Sequence, residues 1–194
     1  MRFIHASDLH IDSPLRGLDR YDGAPVERLR SATRSALERL VDKALAERVD
    51  FLLLAGDIYD RDWQDFHTGL FFRGQMVRLE RAGIRCFIVQ GNHDAQGVIS
   101  RQLTLPSNVT VFSSRAAQTV KLDELSVAIH GRSFPEREVN EDLVPSYPPP
   151  VSGYFNIGLL HTSLTGRAGH DTYAPTDLPT LVAKEYDYWA LGHV

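Results

Sequence analysis

Residues 51–60 read Phe-Leu-Leu-Leu-Ala-Gly-Asp-Ile-Tyr-Asp. A short apolar run of this kind fits a strand buried on both faces, as in a parallel sheet. Gly56 lets the backbone leave the strand sharply. Asp57 then falls just past the carboxyl end of the strand, where open α/β sheets build their sites. An ionised carboxylate in that position needs an opposite charge, most simply a metal ion.

The same arrangement recurs on either side. Residues 2–6 form an apolar strand running into Ser7-Asp8-Leu9-His10, and 84–90 form another running into Gly91-Asn92-His93-Asp94. Residues 11–25, rich in Asp, Gly, Pro and Arg, read as a loop over the sheet end. A helix is predicted from Pro25 to about Arg48, with Val26, Leu29, Thr33, Ala36, Leu37, Leu40, Val41, Ala44 and Leu45 on one face. A second is predicted from about Asp62 to Ala82, closed by Gly83. The alternation of strand and helix argues for a parallel core.

Beyond Asp94 the pattern changes. Short strands are predicted at 109–112, 119–122 and 126–130, and helices are scarce, so antiparallel or mixed pairing is expected. Residues 135–153 carry five prolines and read as a surface connection. A strand at 154–160 ends in His161, a long loop covers 162–179, and a last strand at 186–191 ends in Gly192-His193-Val194. There is no internal repeat.

With 194 residues, 43% hydrophobic and 24% charged, the composition is that of one ordinary globular domain. No stretch reaches the length of a membrane span and the N-terminus has no signal-peptide plan. The lone Cys86 excludes an intrachain disulfide and suits a reducing compartment, so a cytoplasmic protein is expected. A net charge of −4 gives no global basic footprint for nucleic acid, although bound cations would reverse the sign locally.

Five predicted strands thus end in ligand chemistry: Asp8 and His10, Asp57 and Asp60, Asn92 and His93, His161, and His193. Strand ends in a parallel sheet converge, so the set can surround one or two ions. Mixed Asp, His and Asn ligands suit Mn, Fe or Zn, and are too nitrogen-rich for calcium. Elsewhere, His5 alternates with core residues and reads as structural, His67 as a solvated helix residue, and Cys86 as a small core residue. His130, His170, Arg16, Arg20 and Arg61 could reach substrate. The second helix carries a broad apolar complement: Trp63, Phe66, Leu70, Phe71, Phe72, Met76, Val77 and Leu79. It reads either as a deeply packed helix or as a partner surface.

Asp8-x-His10, Gly56-Asp57-x-x-Asp60, Gly91-Asn92-His93-Asp94, the isolated His161 and Gly192-His193 resemble, in order, the motifs of the calcineurin-like metallophosphoesterases. Ser7-Asp8-Leu9-His10-Ile11-Asp12, Tyr186-Asp-Tyr-Trp-Ala-Leu-Gly-His193, and Leu160-His-Thr-Ser followed by Gly169-His-Asp-Thr-Tyr-Ala-Pro175 are similar to the SbcD and YhaO-type DNA repair exonucleases. The resemblance implies an α/β fold, a layered α/β/β/α sandwich of mixed sheets with helices outside. It implies two divalent ions, Mn foremost: Asp8 and His10 on the first, Asp57 bridging, and Asn92, His161 and His193 on the second. His93 would be the catalytic histidine outside the ligand set, with Asp60 or Asp94 orienting its ring. Two such ions roughly 3.5–4 Å apart clamp a phosphodiester and supply hydroxide near neutral pH.

The family motif runs Gly-His-x-His, so the resemblance further implies a nuclease domain over 1–194 that stops inside that motif, as a piece of a longer protein. DNA, an SMC-like ABC ATPase and a second copy of the chain, packed through helices of this domain, are the partners it implies. A phosphomonoesterase or nucleotide hydrolase on the same scaffold, or a non-catalytic module bound to an ATPase, are the alternatives.

Overall fold

The computed structural model describes residues 1–13, 26–60, 66–95, 103–164 and 172–193. The expected start of the second helix, with Trp63, lies outside these residues, as do Arg16, Arg20, Arg61 and His170.

The first half alternates β1 (Phe3–Ala6), α1 (Val26–Glu47), β2 (Phe51–Ala55), α2 (Phe66–Arg81) and β3 (Arg85–Val89). With β4 (Val109–Val111), the strands form one parallel sheet in the order β1-β2-β3-β4. The second half supplies β5 (Gln118–Leu122), β6 (Val127–Gly131), β7 (Phe155–His161) and β8 (Tyr188–Gly192), paired in that order. Only β5 runs antiparallel to its neighbour, so this sheet is mixed, as expected.

Strand alternation builds the layers. Phe51, Leu53 and Ala55 of β2 face the second sheet and meet Ile129, Ile157, Leu159 and Ala190. Leu52 and Leu54 face the other way, against Leu37, Val41 and Ala44 of α1 and Phe72, Met76 and Leu79 of α2. Every residue of β2 is buried, which is why it reads as an uninterrupted apolar run. Ala36, predicted on the apolar face of α1, is exposed. Gly83 sits at φ +73° and the Ile84 N–H donates to Leu79 C=O at 3.0 Å, which closes α2 as its sequence suggested.

The second sheet corrects two expectations. Residues 135–153 are not merely a surface connection. Val139, Leu143, Val144 and Tyr147 are buried and form a third apolar cluster with Phe134, Leu160 and Ala174 on the outer face. Residues 162–179 are not loop throughout: Leu164 bridges Thr176, and a short helix, α3 (Leu178–Ala183), begins at Leu178. Asp177 caps it, accepting from the Thr180 N–H at 2.8 Å, with a proline in the first turn. Two sheets therefore lie face to face, with helices and the 135–147 cluster outside them. Among the described residues no helix is long and apolar enough to cross a membrane.

On α2 the apolar residues divide. Phe72, Met76 and Leu79 are in the core, while Phe66 and Leu70 are 47% and 48% exposed. Cys86 is buried and free of any disulfide.

Candidate metal centre and active site

The backbone that follows β1 runs alongside the backbone that follows β2. Asp8 N–H donates to Gly56 C=O, His10 N–H to Asp57 C=O and Ile11 N–H to Ile58 C=O, each at 3.0 Å. Two loops that would otherwise diverge are laced together, and their acidic and histidine side chains share one space. Asp8, His10, Asp57 and His193 all stand at positive φ, between 41° and 67°. Such conformations persist only where surrounding structure enforces them, and they cluster at functional sites.

Asp57 is the centre of this space. Its Oδ1 accepts the backbone N–H of His93 at 3.0 Å. Its Oδ2 lies 3.4 Å from His161 Nε2 and 3.9 Å from His10 Nε2, with one imidazole on the β7 side and one on the β1 side. Burial alone would raise the Asp57 carboxyl, but the bond and charge of His161 and the His93 N–H outweigh it and hold the carboxyl below the usual range. His161 is buried too, which by itself would lower its pKa; Asp57 raises it beyond compensation.

The donor chemistry around His161 fits a cation. His161 Nδ1–H donates to Ala55 C=O at 2.8 Å. The neutral ring then presents only a lone pair at Nε2. That lone pair faces Asn92 Oδ1 at 3.1 Å and Asp57 Oδ2 at 3.4 Å. With the ring neutral, three acceptors converge without a proton between them, a conflict that a divalent ion resolves; without an ion, a second proton on the ring answers it, in line with the raised pKa. Space is kept for this cluster by glycine. A Cβ on Gly56 would stand 2.5 Å from His161 Nδ1, and one on Gly91 would run into Asp57 Oδ1.

Ligand atoms of Asp8, Asp57, His161 and His193 all lie within 4.8 Å of one another. His10, Asp60 and His93 form a second such group beside it. Asp8 thus stands with the His161 and His193 side chains, and its Oδ2 also accepts the His193 backbone N–H at 3.0 Å.

Of the two carboxylates expected to orient His93, Asp60 reaches it: His93 Nδ1–H donates to Asp60 Oδ1 at 2.8 Å. Asp94 faces the other way and does not touch the ring. Its oxygens accept the backbone N–H groups of Ile58, Tyr59 and Gly91, so it ties the Asp57 loop to the Asn92 loop from beneath. Burial, and then the charge of Asp57, push its carboxyl up to about 6.

Of the remaining sequence candidates, His130 is excluded from substrate contact. It is buried on β6, accepts the Thr119 hydroxyl at Nδ1 and donates from Nε2 to Asn156 Oδ1. His5 lies between the sheets with its Nδ1 3.2 Å from the Tyr188 hydroxyl, a structural position, and His67 is exposed on α2. Two aromatic neighbours of the site escaped the sequence reading. Phe134 stands edge-on to His161 at 5.5 Å and Tyr173 edge-on to His193 at 5.6 Å. Tyr173 lies in the stretch that resembles the exonucleases, and that was the one signal for it.

A family model for the calcineurin-like phosphoesterases matches residues 1–194. The chain is 36% identical over its whole length to the metallophosphoesterase YhaO of Bacillus subtilis, described as uncharacterized, and covers 48% of that protein. It is 24% identical, again over its whole length, to the DNA double-strand break repair protein Mre11 of Methanopyrus kandleri, covering 44% of it. Over 59% of the chain it is 28% identical to the SbcD component of the SbcCD nuclease of Escherichia coli, covering 27% of that component. The chain spans about half the length of the first two of these relatives. The family model spans every strand end that converges on Asp57, and the chain belongs to the calcineurin-like phosphoesterase family.

Proposed function

We propose that this chain is the hydrolytic unit of a metal-dependent phosphodiesterase that acts on DNA, as an exonuclease of the SbcD/YhaO type. The observation that carries the reading is Asp57 Oδ2 flanked by His10 and His161, with His93 and Asp60 at the rim. As the resemblance implies, Asp8, His10 and Asp57 would hold one divalent ion, and Asp57, Asn92, His161 and His193 a second; the mixed oxygen and nitrogen donors suit Mn, Fe or Zn, and the resemblance puts Mn first. Such ions, when bound, supply charge neutralisation at phosphorus and an acidified water.

The chain's own residues do the rest. The His93 backbone N–H fixes the rotation of the Asp57 carboxylate. Asp60 holds the His93 proton on Nδ1, leaving Nε2 free to take up and deliver a proton at the leaving oxygen. The resemblance of the chain to Mre11 and to SbcD favours DNA over a monoester.

The test compares Mn-dependent release of nucleotides from linear duplex DNA with hydrolysis of nitrophenyl phosphate by the whole protein. DNA turnover is expected to exceed monoester turnover. Faster monoester hydrolysis, with no product from DNA, would favour the phosphomonoesterase reading instead.

Association with an ATPase and with a second copy belongs to the same proposal. The half-exposed Phe66 and Leu70 on α2 are the surface for the second copy. Closed two-fold pairing is the commonest oligomer. Sedimentation at micromolar concentration is expected to show a dimer that Phe66→Glu with Leu70→Glu converts to monomer; a monomeric parent protein would refute it.

A further inference from the structure

Asp60 accepts a hydrogen bond on each of its oxygens. Oδ1 faces His93 Nδ1 at 2.8 Å, and Oδ2 accepts the Ser13 hydroxyl at 2.6 Å. Ser13 lies 47 residues away in the chain, in the loop after β1. It reaches Asp60 because the two loops run side by side, with Ile11 bridging Tyr59.

What keeps Ser13 there is the residue before it. Asp12 stands at φ +57°, a conformation that needs support. Its backbone N–H donates to Thr33 Oγ1 on α1 at 3.1 Å. Its carboxylate takes a two-pronged bond from Arg34, Nε at 2.7 Å and Nη2 at 2.5 Å, and a third from the Thr68 hydroxyl of α2 at 2.6 Å. The Asp12 side chain is 11% exposed and that of Arg34 38%, so the carboxylate end of the pair is shielded from the solvent competition that weakens surface ion pairs. Ser13 N–H closes the turn onto His10 C=O at 3.0 Å. Both helices therefore grip Asp12, and Asp12 delivers Ser13.

We propose that Ser13 is a positioning residue for the reaction: it extends the Asp60–His93 pair into a three-member relay, anchored to α1 and α2 through Asp12. The Ser13 bond at Oδ2 restricts rotation of the Asp60 carboxylate about its Cβ–Cγ bond. Bonded at both oxygens, the carboxylate presents Oδ1 to His93 in one orientation, and the imidazole keeps its proton on Nδ1 with Nε2 turned to the substrate space. A small misplacement of a catalytic group is costly even when binding is intact. The inference rests on the phosphoesterase reading of the site but not on DNA as the substrate.

The test uses Ser13→Ala and Ser13→Thr in the whole protein, with Mn and a dinucleoside phosphodiester, whose alkoxide leaving group needs a proton. Ser13→Ala is expected to lower kcat by about tenfold, the range seen for outer partners of a site, with KM unchanged. Ser13→Thr, which keeps the hydroxyl, restores it. In an Asp60→Asn background Ser13→Ala is expected to have no further effect, since members of one network do not add. Nitrogen NMR of the His93 ring in metal-free protein supplies a readout independent of turnover: Ser13→Ala moves population from the Nδ1–H to the Nε2–H tautomer. An unchanged tautomer and kcat, or a Ser13 effect that adds in full to that of Asp60→Asn, would overturn the proposal. If the parent protein hydrolyses no phosphoester, the enzyme reading fails, and the tautomer still decides the relay.

Discussion

Asp57→Asn is expected to empty both metal positions and to cut phosphodiesterase activity by about 10³-fold or more, since bound metal is worth several kcal/mol to the transition state and each 1.36 kcal/mol is a factor of ten. The substitution keeps the volume of the side chain, so packing is preserved. It removes the charge and one of two acceptor atoms. If the amide oxygen stays on the His93 N–H, where Oδ1 now accepts at 3.0 Å, the NH₂ group replaces Oδ2 between His10 and His161. A donor then stands where the shared cation would sit, and it meets the His161 Nε2 lone pair without any charge to hold an ion. If the amide flips, its NH₂ group opposes the His93 N–H instead, and a buried donor loses its partner, at a cost of about 1–3 kcal/mol.

Two measurements check this. Elemental analysis after loading with Mn should find two ions on the parent protein and none on the variant. Thermal unfolding should show the parent stabilised by Mn, by about 2.7 kcal/mol at a hundred times the dissociation constant, and the variant indifferent to it. Retention of one ion would make Asp57 a terminal ligand of the other and not a bridge.

The strands carrying this site were legible because both of their properties are local. A run buried on two faces must be apolar, as 51–55 is, and its exit into acid or histidine is visible without any partner. The outer face of the second sheet was not legible in the same way. Five prolines dominate the composition of 135–153, yet the chain turns Val139, Leu143, Val144 and Tyr147 inward between them. Proline sets local backbone direction and says nothing about which side chains a neighbouring sheet will cover. Helix α3 was missed for the opposite reason. With six residues it has no full apolar period to read, and Asp177 followed by Pro179 was its one local sign.

The choice between Asp60 and Asp94 shows where sequence reasoning stops. Asp94 is next to His93 in the chain, whereas Asp60 is 33 residues away. Sequence proximity favours the wrong one. At the turn after β3, successive side chains diverge: His93 points to the rim, and Asp94 points under the Asp57 loop to collect three backbone N–H groups. The pairing of Asp60 with His93 is set by the register of two loops, and no motif spacing encodes that register.

That register also governs the expected outcome of His93→Ala: turnover falls by about 10²–10⁴-fold, the usual worth of a positioned proton donor, while both ions stay bound. The retention of metal follows from which atom of His93 touches Asp57. The contact is the backbone N–H, which alanine keeps, so the carboxylate at the centre retains its rotation. What is lost is the imidazole, held by Asp60 and standing edge-on to His10 with ring centroids 4.8 Å apart. His10 loses a neighbour but not its own anchorage, since its N–H still donates to Asp57 C=O. The rival assignment comes from the same geometry, because His10, Asp60 and His93 could together hold an ion. In that case His93→Ala lowers metal content along with activity, and added Mn restores part of both. If His93 is instead a proton donor, Mn content is unchanged, added Mn restores nothing, and a substrate whose leaving group needs no proton, such as bis-nitrophenyl phosphate, suffers a much smaller loss than DNA. Metal analysis and the two substrates side by side separate the roles.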